Sequence, residues 1–357
     1  MIRKSNSTVT VNHRLLLKNL ATFSRFLDPE TRIMAVVKSD GYGHGAVEIA
    51  QTLDAKVQAF AVNAIQEGIE LRENGIAKPI LVFEVPQQKM VSQYRVHNLT
   101  ATISSREHFE WVPNGTSYHL NFDTGMGRLG FLPSQAEEIA QMVREYSELF
   151  CTGIYSHFAT AHEPGFPLVS EQHDIFRKIQ SHFPEELTAH IANTGGTAFY
   201  DTSRFNMVRL GIGLYGYAPG DITIEGLAPI LRWHSFIAQT KRIKAGASVS
   251  YGAEWQAPAD GYLGILPVGY EDGLKRGLSG RQFGVHIGGN TYKVVGTITM
   301  NYCMVYLGQD YYEPGTEVEL LYKGNDAYEW ARKLDTIPYE ILTGIDKQIP
   351  REHLQYG

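Results

Sequence analysis

Cysteine is nearly absent from this chain: Cys151 and Cys303 are the only two in 357 residues. They lie far apart and have no partners at metal-ligand spacing. That excludes a disulfide framework and a zinc site, so no metal is expected and a reducing cytoplasm is the expected compartment. Long apolar runs are missing too. No stretch approaches the roughly 18 apolar residues that a spanning helix needs. The basic residues of "MIRKSNSTVTVNHR" are followed by no apolar segment, so neither a membrane partner nor a secretory signal is expected. There is no basic excess and no low-complexity tract. The formal charge of −6 argues against nucleic acid or an acidic membrane surface as partner. What is present, 43% apolar and 20% charged residues, is the make-up of an ordinary globular protein. The length suits two domains, or a barrel with an appendage.

The first two-thirds alternates. Apolar β-type runs fall near 33–37, 59–62, 79–83, 100–103, 117–122, 151–157, 188–192 and 206–210. Between them, pieces such as "AVEIAQTLDA", "NAIQEGIELRENG", "SQAEEIAQMVREYSE" and "SEQHDIFRKIQSHF" repeat apolar residues at helical spacing. Apolar strands alternating with helices predict a parallel sheet, and eight such units predict a closed (β/α)8 TIM-type barrel over 1–230, with an open doubly wound sheet as the alternative. After residue 230 the pattern turns strand-like and glycine-punctuated, which predicts a mainly β domain over 231–357. A first strand near 8–11 is expected to pair with that second domain.

In a parallel barrel the reactive groups sit at the C-terminal ends of the strands. Lys38 and Tyr42 follow the first strand, in "VVKSDGYGHG". Asp123 and Arg128 follow the fifth, in "DTGMGRLG". His157 ends the sixth, Asn193 and Thr194 follow the seventh, and Arg209 leads into "LGIGLYG" on the eighth. Singly, each has an ordinary reading: a solvated strand end for Lys38, a half-buried histidine for His157, surface ion pairs for the arginines. Together they describe one mouth. "NTGG" and "GIG" fall where barrels often bind phosphate, because glycines let backbone N–H groups approach oxygen. A lysine beside a phosphate site, with arginines disfavouring its charged form, suggests a Schiff-base amine and pyridoxal 5′-phosphate.

With those residues in hand the chain resembles the alanine racemases, fold-type III pyridoxal-phosphate enzymes, nearly end to end. The resemblance rests on "AVVKSDGYGHG", "DTGMGRLG", "YSHFATA", "ANTGG", "VRLGIGLYG", "VSYGAEW", "PVGYEDGL", "GTITMN" and "IPYEILTGIDKQIPR". It implies a racemase acting on alanine and a head-to-tail homodimer with shared active sites. It further implies Lys38 on the cofactor aldehyde. The phosphate would be held by Tyr42, Tyr339, Thr194 and the backbone of Gly211 and Ile212, beside Asn193. Arg209 would face the pyridine nitrogen. Arg128 would lie near the substrate carboxylate, and Tyr251, Tyr270 and Met300, followed by Asn301, would come from the other subunit. His157 would bond Tyr251 and connect it to Arg209. Inversion needs two bases, and the resemblance assigns Lys38 and Tyr251. D-alanine as product implies peptidoglycan synthesis.

The chain departs from the family in three places. Asn121 stands where many members carry a carbamylated lysine, which leaves Arg128 to be oriented by the Asn121 amide, by water or by a small anion such as chloride. The usual "M-D" is Met300-Asn301. Thr194 replaces the more usual serine and keeps the hydroxyl.

Overall fold

The computed structural model describes residues 6–220 and 222–355. The chain divides into two compact units, one of Leu16–Gly41 and Gly45–Ala228, the other of residues up to Leu15, Tyr42–His44 and the chain from Pro229 onward.

A first strand, β1 (Thr8–Asn12), belongs to the second unit. The first unit holds β2 (Arg32–Val36), β3 (Ala59–Val62), β4 (Ile80–Val82), β5 (Ala101–Ile103), β6 (Ser117–Asn121), β7 (Phe150–Tyr155), β8 (Thr188–His190) and β9 (Met207–Leu210). They form two parallel ribbons, in the orders β4-β3-β2-β9 and β5-β6-β7-β8. Two seams join the ribbons. At one, Leu81 and Thr100 bridge, and Val82 N donates to Thr100 O at 2.9 Å. At the other, Arg209 N donates to Ala192 O at 2.9 Å. The expected eight-stranded barrel is therefore closed. Buried strands need side chains that pack on both faces, and "AFAV" of β3 and "ILV" of β4 are buried at every position. The helices Ala46–Leu53, Ile65–Glu73, Ala136–Glu145 and Pro167–Gln180 cover the outside with their apolar stripes.

β7 stops at Tyr155, two residues short of the end expected from the sequence. The physical reason is a side chain: the carbonyl of Ser156 accepts from Arg209 Nη2 at 2.7 Å instead of from a neighbouring strand.

The second unit is built on one long sheet. β10 (Leu231–Phe236) pairs antiparallel with β1, Val9 opposite Trp233, and β1 pairs parallel with Arg351–Leu354. The sheet continues from β10 through Glu317–Leu321, Gly284–Ile287, Asn290–Val295, Cys303–Gly308 and Gly261–Leu266 to Gln239–Ile243. One part of its core is aromatic, beside an aliphatic cluster that includes Ile243, Leu263 and Val295. Trp330, from the helix Ala327–Leu334, meets Trp233 at 6.0 Å and Phe283 edge-on at 5.0 Å between ring centroids. Both tryptophans are fully buried. Among the described residues no helix is long and apolar enough to cross a membrane, and no cluster of His, Cys, Asp and Glu could hold a metal ion.

Trp330→Ala would leave a cavity between Trp233 and Phe283 and should cost about 3–5 kcal/mol of stability. Urea unfolding followed by far-UV circular dichroism checks this; an unchanged midpoint would contradict the packing described.

Candidate active site

Lys38 follows β2 by one residue, and the chain then turns the unusual way. Ser39, Asp40 and Tyr42 have φ of 55°, 56° and 54°, so "KSDGYG" winds as one left-handed turn. Non-glycine residues there cost roughly 1–2 kcal/mol each. Gly41 and Gly43, at φ 59° and 81°, relieve part of the strain. Specific bonds hold the rest. Gly41 N donates to Val37 O at 2.8 Å, Ser39 N to Glu67 Oε1 at 2.5 Å, and Ala46 N to Asp40 Oδ1 at 3.1 Å. The Lys38 ammonium is held below its ordinary 10.5 by burial first, then by Arg128 and Arg209, while Glu67 opposes them.

Arg209, on β9, is 2% exposed. Its Nη1 donates to His190 Nδ1 at 2.6 Å and His190 O at 3.0 Å. Its Nη2 donates to Ser156 O at 2.7 Å, Ile191 O at 3.0 Å and His157 Nδ1 at 3.1 Å. Burial lowers the guanidinium to about 10, so it stays charged at neutral pH. Its carbon stands 5.5 Å from the Tyr155 ring, which stacks on His190 at 5.1 Å. The Nε–H of Arg209 has no partner among the described residues.

Because a guanidinium only donates, both Nδ1 atoms facing it must accept. Burial, then Arg209, hold His157 and His190 far below the ordinary range and therefore neutral. The proton of each is thus on Nε2. For His157 that N–H lies 3.4 Å from the Asn193 amide nitrogen, another donor, since Asn193 Oδ1 is taken by Gly196 N at 3.0 Å. His157 Nε2–H is left as a donor in need of an acceptor.

Asp123 has a structural task. Its carboxylate accepts from Gly125 N, Met126 N, Gly127 N and Arg128 N at 2.8–3.1 Å. Burial alone would raise its pKa, and these four N–H groups outweigh that and hold it low. The loop so fixed carries Arg128 with its side chain exposed. Asn121 Nδ2 donates to Leu129 O at 3.0 Å, and among the described residues Asn121 makes no hydrogen bond to Arg128.

Thr194 begins the helix Thr194–Phe199 under the Asn193 cap. Its hydroxyl oxygen stands 3.3 Å from Gly211 N and 3.4 Å from Gly213 N, accepting from both. Ile212 N, between them, has no partner among the described residues. A Cβ at Gly195 would come within 2.3 Å of Ala161 O, so only glycine fits there.

In the other unit Tyr42 packs its ring 5.9 Å from that of Tyr339. Burial raises both phenols, helped by Tyr339 for Tyr42 and by Tyr328 for Tyr339, so both remain donors. Tyr270 and Met300 are brought together: Tyr270 N donates to Thr299 O and Glu271 N to Met300 O, both at 3.1 Å. Asn301 Nδ2 donates to Glu271 Oε2. Tyr251, Tyr270 and Met300 are 74%, 42% and 52% exposed.

Two participants escaped the sequence reading, His119 and His190. A signal existed, a lone histidine inside an otherwise apolar β-run, in "SYHLNF" and again in "TAHIA". His119 Nδ1 lies 2.8 Å from His190 Nε2, extending the chain of bonds behind Arg209.

The sequence matches the alanine racemase N-terminal domain over residues 11–219 and the alanine racemase C-terminal domain over residues 230–353. Alanine racemase 1 of Bacillus subtilis (strain 168) is 35% identical over 356 residues, covering 95% of this chain and 91% of that protein. The alanine racemase of Geobacillus kaustophilus is 34% identical over 361 residues, covering 96% and 93%. Among solved structures, alanine racemase from E. faecalis has a TM-score of 0.93 at 30% identity and covers 99% of this chain and 100% of its own. The Bacillus anthracis enzyme with bound L-Ala-P has a TM-score of 0.91 at 29% identity, with 99% and 96% covered. With both halves of the sequence matched and relatives alike over nearly their whole length, the chain belongs to the alanine racemase family.

Proposed function

We propose that this protein interconverts L- and D-alanine with pyridoxal 5′-phosphate, by two bases on opposite faces of the substrate, in a homodimer whose active sites are shared. The observation that carries the reading is the set of donors left open at one barrel mouth: the depressed amine of Lys38, the Nε–H of Arg209 and the Ile212 N–H beside Thr194. These fit an aldehyde, a ring nitrogen that accepts, and a phosphate, in that order. When bound, the cofactor supplies an aldehyde for the amine and a ring system that delocalises the charge left when a Cα proton departs.

The chain's own groups do the rest. Lys38, its charged form disfavoured, holds or releases a proton on one face. Tyr251 of the partner subunit serves the other face. A donor aimed at a phenol oxygen favours its charged form. His157 Nε2–H is such a donor, with Arg209 behind it. Arg209 cannot usefully release a proton, so it would leave a ring nitrogen held there unprotonated, which would suppress transamination. Arg128 receives the substrate carboxylate, and Tyr42, Tyr339, Thr194, Gly211 and Ile212 take the phosphate, beside Asn193. The exposure of Tyr251, Tyr270 and Met300 supports a second subunit, because aromatic residues and methionine are enriched where subunits meet. Tyr270, Met300 and Asn301 would then border the substrate of the neighbouring site. D-alanine made in a bacterial cytoplasm feeds peptidoglycan synthesis, and the relatives named above are bacterial.

The test is L-alanine in heavy water with enzyme and cofactor, following the α-proton by NMR and optical activity by circular dichroism. Both signals should disappear. Tyr251→Phe should slow racemisation by roughly 10²–10⁴-fold while Lys38 still exchanges the proton of one enantiomer. Equal exchange of both enantiomers in that variant would remove Tyr251 from the mechanism.

The depressed Lys38 gives a pH prediction for the cofactor-free protein. Acylation of Lys38 by an amine-selective reagent, read by mass spectrometry, should rise through a midpoint below 10.5. Arg128→Gln removes a positive charge that lowers the midpoint and should therefore raise it; an unmoved midpoint would show that Arg128 does not act on Lys38.

A further inference from the structure

The barrel has a second opening, at the N-terminal ends of its strands. A cavity of about 400 Å³ lies there, bordered by Arg32, Ala59, Thr100, Ser117, His119 and Thr188 among others. Barrel interiors are normally filled by layers of side chains, so a void of this size is a departure. The small side chains of Ala59 and Ala77 help leave it open.

Its chemistry is one-sided. Among the described residues no aspartate or glutamate lines it. Arg32, half-buried, bonds Thr188 Oγ1 at 3.1 Å and Asn206 O at 3.4 Å, and has no carboxylate partner among the described residues. His119 is 7% exposed, and its proton position follows from the other end of the barrel. Arg209 can only donate, so His190 Nδ1 accepts and His190 Nε2 carries the hydrogen. That hydrogen goes to His119 Nδ1 at 2.8 Å, which places the His119 proton on Nε2. This N–H has no partner among the described residues. Burial, Arg209 and Arg32 push His119 down to about 3, so it is a neutral donor in a positive field.

We propose that this cavity binds a small oxyanion, a carboxylate or a phosphate, held by the guanidinium of Arg32 and the Nε2–H of His119. The unpartnered Nε2–H of a buried histidine and a cation without a carboxylate partner, lining one cavity with no carboxylate among the described residues, are each stabilised by the same ligand. The site is distinct from the mouth that carries Lys38, since its lining comes from the starts of β2, β6, β8 and β9. Its occupancy would be felt at Arg209, because an acceptor on His119 strengthens the acceptor end of the His119–His190 chain.

The experiment uses the holoprotein, loaded with pyridoxal phosphate so that the cradle at Thr194 is filled, in chloride-free buffer; each titration is run without alanine and repeated with racemic alanine, which occupies the substrate site and competes at the cavity only if the cavity accepts alanine's own carboxylate. Inorganic phosphate and, separately, acetate are titrated by calorimetry, and the His119 Nε2 resonance is followed by nitrogen-15 NMR. At least one of the two should bind saturably, one per chain, and move that resonance. Arg32→Met should weaken binding roughly 10- to 100-fold, the range for hydrogen bonds to charged groups. Ala59→Leu, which fills the cavity without touching a charge, should abolish it and stands in should Arg32→Met fail to fold. Binding of phosphate alone assigns the site to phosphates, and binding of acetate alone to carboxylates. An unmoved His119 resonance at millimolar anion, or equal affinity in all three proteins, would overturn the proposal.

Discussion

The buried guanidinium of Arg209 is the interaction around which the barrel half of this molecule is organised. A cation taken out of water costs several kcal/mol unless its surroundings replace the lost hydration. Here three backbone carbonyls and two imidazole nitrogens do so. Hydrogen bonds to a charged group contribute about 1.5–3 kcal/mol each, so the clamp offsets the desolvation. The consequences spread outward. β7 must stop at Tyr155 so that Ser156 can offer its carbonyl. Both neighbouring histidines must be neutral, with their protons on the far nitrogen. One Arg209 donor remains open, together with Nε2–H on His157 and on His119.

The same cation sets the electrical conditions for its neighbours. It lowers Lys38, His157, His190 and His119, in each case behind the effect of burial. Tyr155, over whose ring it lies, is pushed up to about 12 by burial even though Arg209 and Arg128 pull the other way. Burial dominates throughout, because buried surroundings screen charge less than water does. A lysine that must be uncharged part of the time, and histidines that must never be charged, are both products of one buried, positive interior.

The left-handed turn after Lys38 is the second constraint. Three non-glycine residues at positive φ persist only where the surroundings over-determine them. Glu67, Val37 and Ala46 supply the bonds that do so. Strain of this kind, next to Lys38, is where a chain gives up stability to aim a side chain.

Much of this was legible without coordinates. The eight strands fell within a residue or two of the observed ones because buried parallel strands are written as short apolar runs. The convergence of Lys38, Arg128, His157, Thr194 and Arg209 followed from the rule that strand ends share a mouth. The sequence did not disclose that "KSDGYG" is a left-handed turn, since its glycines are equally compatible with a flexible loop. Nor did it assign Asp123 to the loop backbone, or reveal the neutral His119–His190 chain and the cavity beneath it. Order along the chain determines which side chains a strand can deliver. Which nitrogen of a histidine carries the proton, and which donor is left over, depends on partners more than a dozen residues away, and only tertiary packing brings those together.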